Sequence, residues 1–199
     1  MIMLSIAGIL FIATGLQYWT SNYLTVVLEV DKTVASTYVA LLSILAPVTG
    51  LVTGGVVTNY YGGYNSYDTQ LLTIIMAWFC TIVTIPIPWV TNFAAFGTLV
   101  WLLMFFGAAI MAPLTGMMLN AVDNSLRGSA NSISQFSYNA FGYLPAPIVY
   151  GLVSYLVDKD NEKKKSHLPL MVIVYSVIIT AILVTFALRR KLLIILENE

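Results

Sequence analysis

Charge is what this sequence has least of. Asp, Glu, Lys and Arg make up 9% of its 199 residues, where soluble domains carry about 25%. A chain so poor in charge cannot clothe a folded surface for water. Its 59% hydrophobic content and mean hydropathy of +0.86 call for lipid around it. Nine basic residues against nine acidic leave no net charge, so there is no basic face for nucleic acid. A single cysteine, Cys80, excludes a disulfide within the chain and any cysteine-rich metal site. The one histidine, His167, has no partner at metal-ligand spacing. No Walker loop, dinucleotide fingerprint or paired carboxylate occurs. The expectation is a protein that is not an enzyme and holds no cofactor or metal.

The opening stretch also lacks something. It has no basic n-region and no small-residue cleavage site, and its apolar run is too long for a signal peptide. It reads as a first membrane crossing. Backbone polar groups in hydrocarbon demand helices or a closed barrel, and these apolar runs show none of a barrel strand's alternation. The fold class is therefore an all-α integral membrane bundle of six transmembrane helices.

Punctuation places the crossings at about 2–27, 34–58, 69–90, 93–119, 128–157 and 168–188, with a short polar tail at 191–199. The first ends at Glu29-Val30-Asp31-Lys32 and the second at the glycine- and tyrosine-rich run 59–68. Prolines 86 and 88 close the third. Residues 158–167 read as the one strongly polar loop. Every charged residue falls in a loop, at a helix end or in the tail. That regularity is expected, because a charge at mid-bilayer costs at least about 2.5 kcal/mol. Arg127, Arg189, Arg190 and Lys191 fall on the side of the termini; Lys32, Lys159 and Lys163 to Lys165 fall opposite. The basic residues are nearly balanced and do not orient the bundle.

Polar residues inside the crossings are the candidates for function. In the fifth, Asn131, Gln135, Tyr138, Asn139 and Gly142 share an arc of roughly 80° at about 100° per residue. In the first, Thr14, Gln17, Tyr18, Ser21 and Asn22 share one side. Such amides either line a wet cavity or bond between helices, for about 0.6–2 kcal/mol each. Gln17, Tyr18, Asn22, Asn131, Gln135 and Asn139 are the candidate contacts under both readings. Pro113, Pro145 and Pro147 are candidate shape determinants, since a proline inside a helix frees a carbonyl and bends the rod.

Three segments carry a family signal. Gly54-Gly55 followed by Asn59-Tyr60-Tyr61-Gly62-Gly63 resembles the signature loop of the major facilitator superfamily, which joins the second and third helices of each six-helix half. Gly55, Asn59, Gly62 and Gly63 match its frame. Asn59 stands where that loop has an acid, and Tyr60 where it has a base. Arg127-Gly128 with Ala130, then Gln135, Gly142, Pro145, Pro147 and Gly151, is similar to the eleventh helix of spinster-like members. Gln17 to Leu24 resembles their seventh.

The resemblance implies one facilitator half, helices seven to twelve. Its termini, the Asn59 loop and Arg127 would then face the cytoplasm or organelle interior. It also implies partners: the lipid bilayer, and a second six-helix half, a twin copy or a multi-subunit complex. Two functions follow from it. The favoured one is a transporter-derived half kept as a structural or accessory subunit, because the chain has one half only, the loop has lost its charges and the crossings hold no carboxylate, His, Lys or Arg. The alternative is the C-terminal half of an active transporter of small amphipathic or lipid-like solutes, working by alternating access. The membrane is left open, among mitochondrial inner, other organellar and endolysosomal.

Overall fold

The computed structural model describes residues 1–157 and 162–197, and the described residues form a helical bundle. Helix α1 runs Ile2–Val26, α2 Lys32–Tyr60, α3 Tyr67–Thr84 and α4 Phe93–Asn120. Then come α5 Arg127–Tyr138, a π-turn Asn139–Tyr143, α6 Pro145–Leu156 and α7 Glu162–Glu197. The first four helices, and α7 over Ser166–Arg189, are each long and apolar enough to cross a bilayer. The α5, π-turn and α6 segment makes a sixth helical path of comparable length. The molecule is a multi-pass membrane helical bundle, and lipid is its surroundings.

Local chemistry sets the helix starts. Asp31 accepts hydrogen bonds from the Thr33 and Val34 N–H groups at 2.8 and 3.3 Å. Asn92 does the same for Ala94 and Ala95 at 2.9 and 3.2 Å. Both occupy donors that the first turn of a helix otherwise leaves unpaired. Prolines 86 and 88 end α3 in a 3-10 turn, Ile87–Trp89.

Two differences from the sequence reading concern helix continuity. The fifth crossing is not one α-helix. Pro145 and Pro147 bring no N–H to the turn before them, and the Leu144 N–H reaches back five residues to the Asn139 carbonyl at 3.0 Å. One residue is thereby inserted into the helical ladder. The last helix is also longer than the apolar run. It starts within the stretch read as a loop and continues through most of that read as a tail, to Glu197. Hydropathy marks only the part that lies in lipid, whereas Lys and Glu are good helix formers wherever they stand. Residues 158–161 of the loop lie outside the described residues.

Neighbours in the chain are not the main neighbours in space. The most extensive packing is α2 against α4 and α1 against α7, with α3 between α4 and α7. Half of α1's central window is buried, against 28% of α2's, so α1 is the bundle's core helix and α2 lies at its edge. The α2–α4 seam is close because its residues are small. Ala46, Gly50, Gly54 and Thr58 are buried at four-residue spacing. A Cβ at Gly50 would fall on the Phe105 carbonyl, and one at Gly54 on that of Ala109.

Candidate functional site

One face of the α5 to α6 path is built to pack. Ser134, Tyr138, Gly142, Ala146 and Tyr150, again four apart, are all buried. The Tyr138 hydroxyl and the Ser134 hydroxyl both reach the Met118 sulfur, at 3.3 and 3.1 Å. Gly142 lies against α1, where a Cβ would sit 2.8 Å from the Ala7 carbonyl oxygen. The π-turn thus meets α1 with no side chain between them.

The flank beside that face behaves differently. Asn131, Gln135 and Asn139 are exposed. The Asn139 amide donates to the Gln135 carbonyl of its own helix at 2.8 Å. Among the described residues, none of the three makes a hydrogen bond to another helix. The polar arc read from the sequence straddles a boundary: Tyr138 and Gly142 lie inside the bundle, the three amides outside it.

The candidates on α1 part company as well. Gln17 and Tyr18 are exposed. Asn22 instead donates to the Ser166 hydroxyl at 2.9 Å. Ser166 is buried and lies 3.3 Å from the Tyr150 hydroxyl. Trp19 stacks on Tyr150, with ring centroids 3.9 Å apart and planes 2° from parallel. Asn22 is therefore part of a tie that joins α1, α6 and α7. Ser166, Tyr150 and Trp19 escape a reading of the sequence because only the packing brings them together.

Gln17 lines the exposed side of a cavity of about 190 Å³, together with Tyr143 of the π-turn. The rest of the lining is mainly apolar and comes from α1, α3, α4 and α7, with Pro47 from α2. Pro113 is buried inside α4 and stands apart from it. Among the described residues no cluster of three His, Cys, Asp or Glu side chains lies within reach of a metal.

The loop after α2 has a defined geometry of its own. The Gly63 N–H bonds the Thr58 carbonyl at 2.9 Å and the Gly62 N–H bonds that of Asn59 at 3.4 Å. Gly62 and Gly63 have φ of +87° and +83°, a conformation that a side chain resists. Asn59 is exposed in the last turn of α2. The chain then turns so that the Tyr64 ring covers Gly116 of α4. Gly55, beside the seam, has open space where a Cβ would stand.

No family model and no curated protein matches the chain. A solved structure does: a bacterial homolog of the human lysosomal transporter Spinster, in an inward-facing and unoccupied conformation. It superposes with a TM-score of 0.75 over 96% of this chain, at 14% sequence identity. The described helices share their fold with part of that transporter. At that identity the likeness carries the fold alone, and it extends over 47% of the other chain, so this one spans about half of that transporter's length.

Proposed function

We propose that this bundle is the C-terminal half of a facilitator-type transporter, moving a small uncharged or amphipathic solute against a second six-helix bundle. The observation that carries the reading is the α5 flank. Asn131, Gln135 and Asn139 are turned away from their own bundle and bond to no other helix among the described residues. An amide facing hydrocarbon with no partner costs several kcal/mol. Such a flank is stable only beside a second protein surface or a water-filled cleft, and a facilitator's cleft between halves supplies both. The contacts would be hydrogen bonds from these amides and Gln17. No Asp, Glu, Lys or Arg lies in the middle of a described crossing to bind a charged solute.

A second reading keeps the same partner requirement without transport: an accessory subunit of a larger membrane complex. It is favoured by the loop after α2, where Asn59 and Tyr60 replace the acid and base of the family pattern.

Thiol labelling in sealed native membrane vesicles of both orientations separates the two. Gln135→Cys and Asn139→Cys are placed in turn in a Cys80→Ala background and exposed to a membrane-impermeant reagent. A transporter that alternates its access labels at the same position from either side. Labelling from one side only, or from neither, favours the accessory role.

A further inference from the structure

The 190 Å³ cavity opens where four helices meet through small residues: Ala13 of α1, Ala77 of α3, Gly107 and Ala108 of α4, and Ala181 of α7. It lies at mid-depth in the bundle. From α1, Ile2–Val26, it takes residues between Ile9 and Gln17; from α4, Phe93–Asn120, it takes residues between Leu103 and Met111. Ile9, Ile12, Met104 and Val177 complete its inner walls, while Gln17 and Tyr143 stand on the exposed side.

The polar side chains bordering the inner part are turned elsewhere. The Thr180 hydroxyl donates to the Ser176 carbonyl at 3.1 Å, and the Cys80 thiol to the Leu103 carbonyl at 3.7 Å. The Thr14 hydroxyl oxygen is enclosed by the bundle and presents almost no surface to the space. Water is a poor occupant, because each molecule needs two to four polar partners and these walls offer few. An empty space is poor too, since all its walls forfeit dispersion contacts. A ligand reaching this depth comes from lipid, so it gains contact and fit rather than escape from water. That favours a rigid ring over an acyl chain, which must give up its rotational freedom to lodge there.

We propose that this cavity is a binding site for a compact, rigid, wholly apolar molecule taken up from the bilayer core. The size limits the ligand. A cavity of about 150 Å³ holds benzene, so this one takes about eight non-hydrogen atoms: a six-membered ring with one or two small substituents. Gln17 and Tyr143 form the entrance. The site lies wholly within this half-bundle, so it does not depend on the function proposed above.

Three fluorinated probes test it. 4-Fluorotoluene matches the volume. 2-Fluorohydroquinone, kept reduced, is close to it in size but has a hydroxyl at each end of the ring, so that one must enter. 4-Fluorobiphenyl is larger by a ring. Fluorine NMR on the full protein in lipid nanodiscs, with whatever subunit co-purifies, gives affinities referred to each probe's concentration in the bilayer. Saturable binding of 4-fluorotoluene is expected. 2-Fluorohydroquinone should bind about tenfold more weakly, the cost of burying an unpaired hydroxyl, and 4-fluorobiphenyl should not saturate. Gly107→Leu fills the space from α4, where a Cβ would meet only the Ile9 side chain, at 3.6 Å, and should abolish saturable binding. Ala13→Leu fills it from α1 and stands in if Gly107→Leu does not fold. Absence of a saturable 4-fluorotoluene component in the folded wild-type protein overturns the site. Binding that survives either filling variant puts the probe elsewhere and overturns it too. Equal affinity for 2-fluorohydroquinone overturns the apolar character, and saturable binding of 4-fluorobiphenyl overturns the size limit.

Discussion

Trp19 of α1 and Tyr150 of α6 lie flat against each other, 3.9 Å between ring centroids and 2° between planes. The Tyr150 hydroxyl then meets Ser166 of α7, which also takes the Asn22 amide. A stack and two hydrogen bonds thus hold three helices at one end of the bundle. Toward the other end the helices meet mainly through apolar side chains such as Leu114, Met117 and Leu188, with the Trp78 indole N–H donating to the Thr185 hydroxyl at 3.1 Å.

The two parts of this tie should separate by mutation. Tyr150→Phe keeps the ring and loses the hydroxyl, which should cost about 0.5–1.5 kcal/mol. Trp19→Ala removes the stack and leaves a cavity, for about 3–5 kcal/mol. Denaturant titration in mixed micelles measures both. Equal losses would mean that the stack carries no packing of its own.

The adjacent glycines of α2 should respond with opposite signs. Gly54→Ala drives a methyl group into the Ala109 carbonyl and should destabilise by about 1–3 kcal/mol through overpacking. Gly55→Ala meets open space and should gain about 0.5–1 kcal/mol of helix propensity. Thermal unfolding of the two variants side by side tests the α2–α4 seam. A harmless Gly54→Ala would show that the seam is looser than described.

His167 has a structural job. Its Nε2 lies 2.8 Å from the Pro88 carbonyl, joining the first turns of α7 to the 3-10 turn that follows α3. His167→Leu should therefore cost about 1–3 kcal/mol by leaving that carbonyl unpaired. It should also increase proteolytic nicking at the loop between α3 and α4, read by limited digestion. Unchanged digestion would remove His167 from the account of that loop.

The order of crossings fixes sidedness. Cysteines at Asn65 and Ser125, in loops after α2 and α4, should react with an impermeant reagent from one side of the membrane. A cysteine at Thr91, after α3, should react from the other. Labelling of Thr91→Cys together with Asn65→Cys would rule out this threading of the chain.

The crossings were legible because hydropathy is a local property: 20 apolar residues declare themselves whatever they pack against. The glycines at 62 and 63 were legible for the same reason, since a positive φ selects glycine. Pro145 and Pro147 marked a disturbance, but not its form, because the same pair can give a kink or an inserted residue. The polar candidates were read least completely. Helical spacing groups Tyr138 with Asn139, yet whether a residue faces the bundle or its edge depends on where α1 and α4 lie. Asn22 found its partner 144 positions away in Ser166.

The pairing of α1 with α7 bears on how the protein is made. A chain threaded into the membrane in order of synthesis delivers α1 early, but the helix it packs against most emerges five crossings later. In the interval, the face of α1 that carries Gly8 and Gly15, which lie against Thr180 and Ile173 of α7 in the finished bundle, has only lipid or an insertion factor beside it. The α2–α4 seam likewise waits for α3 to enter and move aside. Biogenesis must therefore hold several helices in the bilayer unassembled before they close together. A nascent chain released before Ser166 has been made would lack both the core partner of α1 and the tie to Tyr150, and quality-control proteases should meet it as an open set of helices.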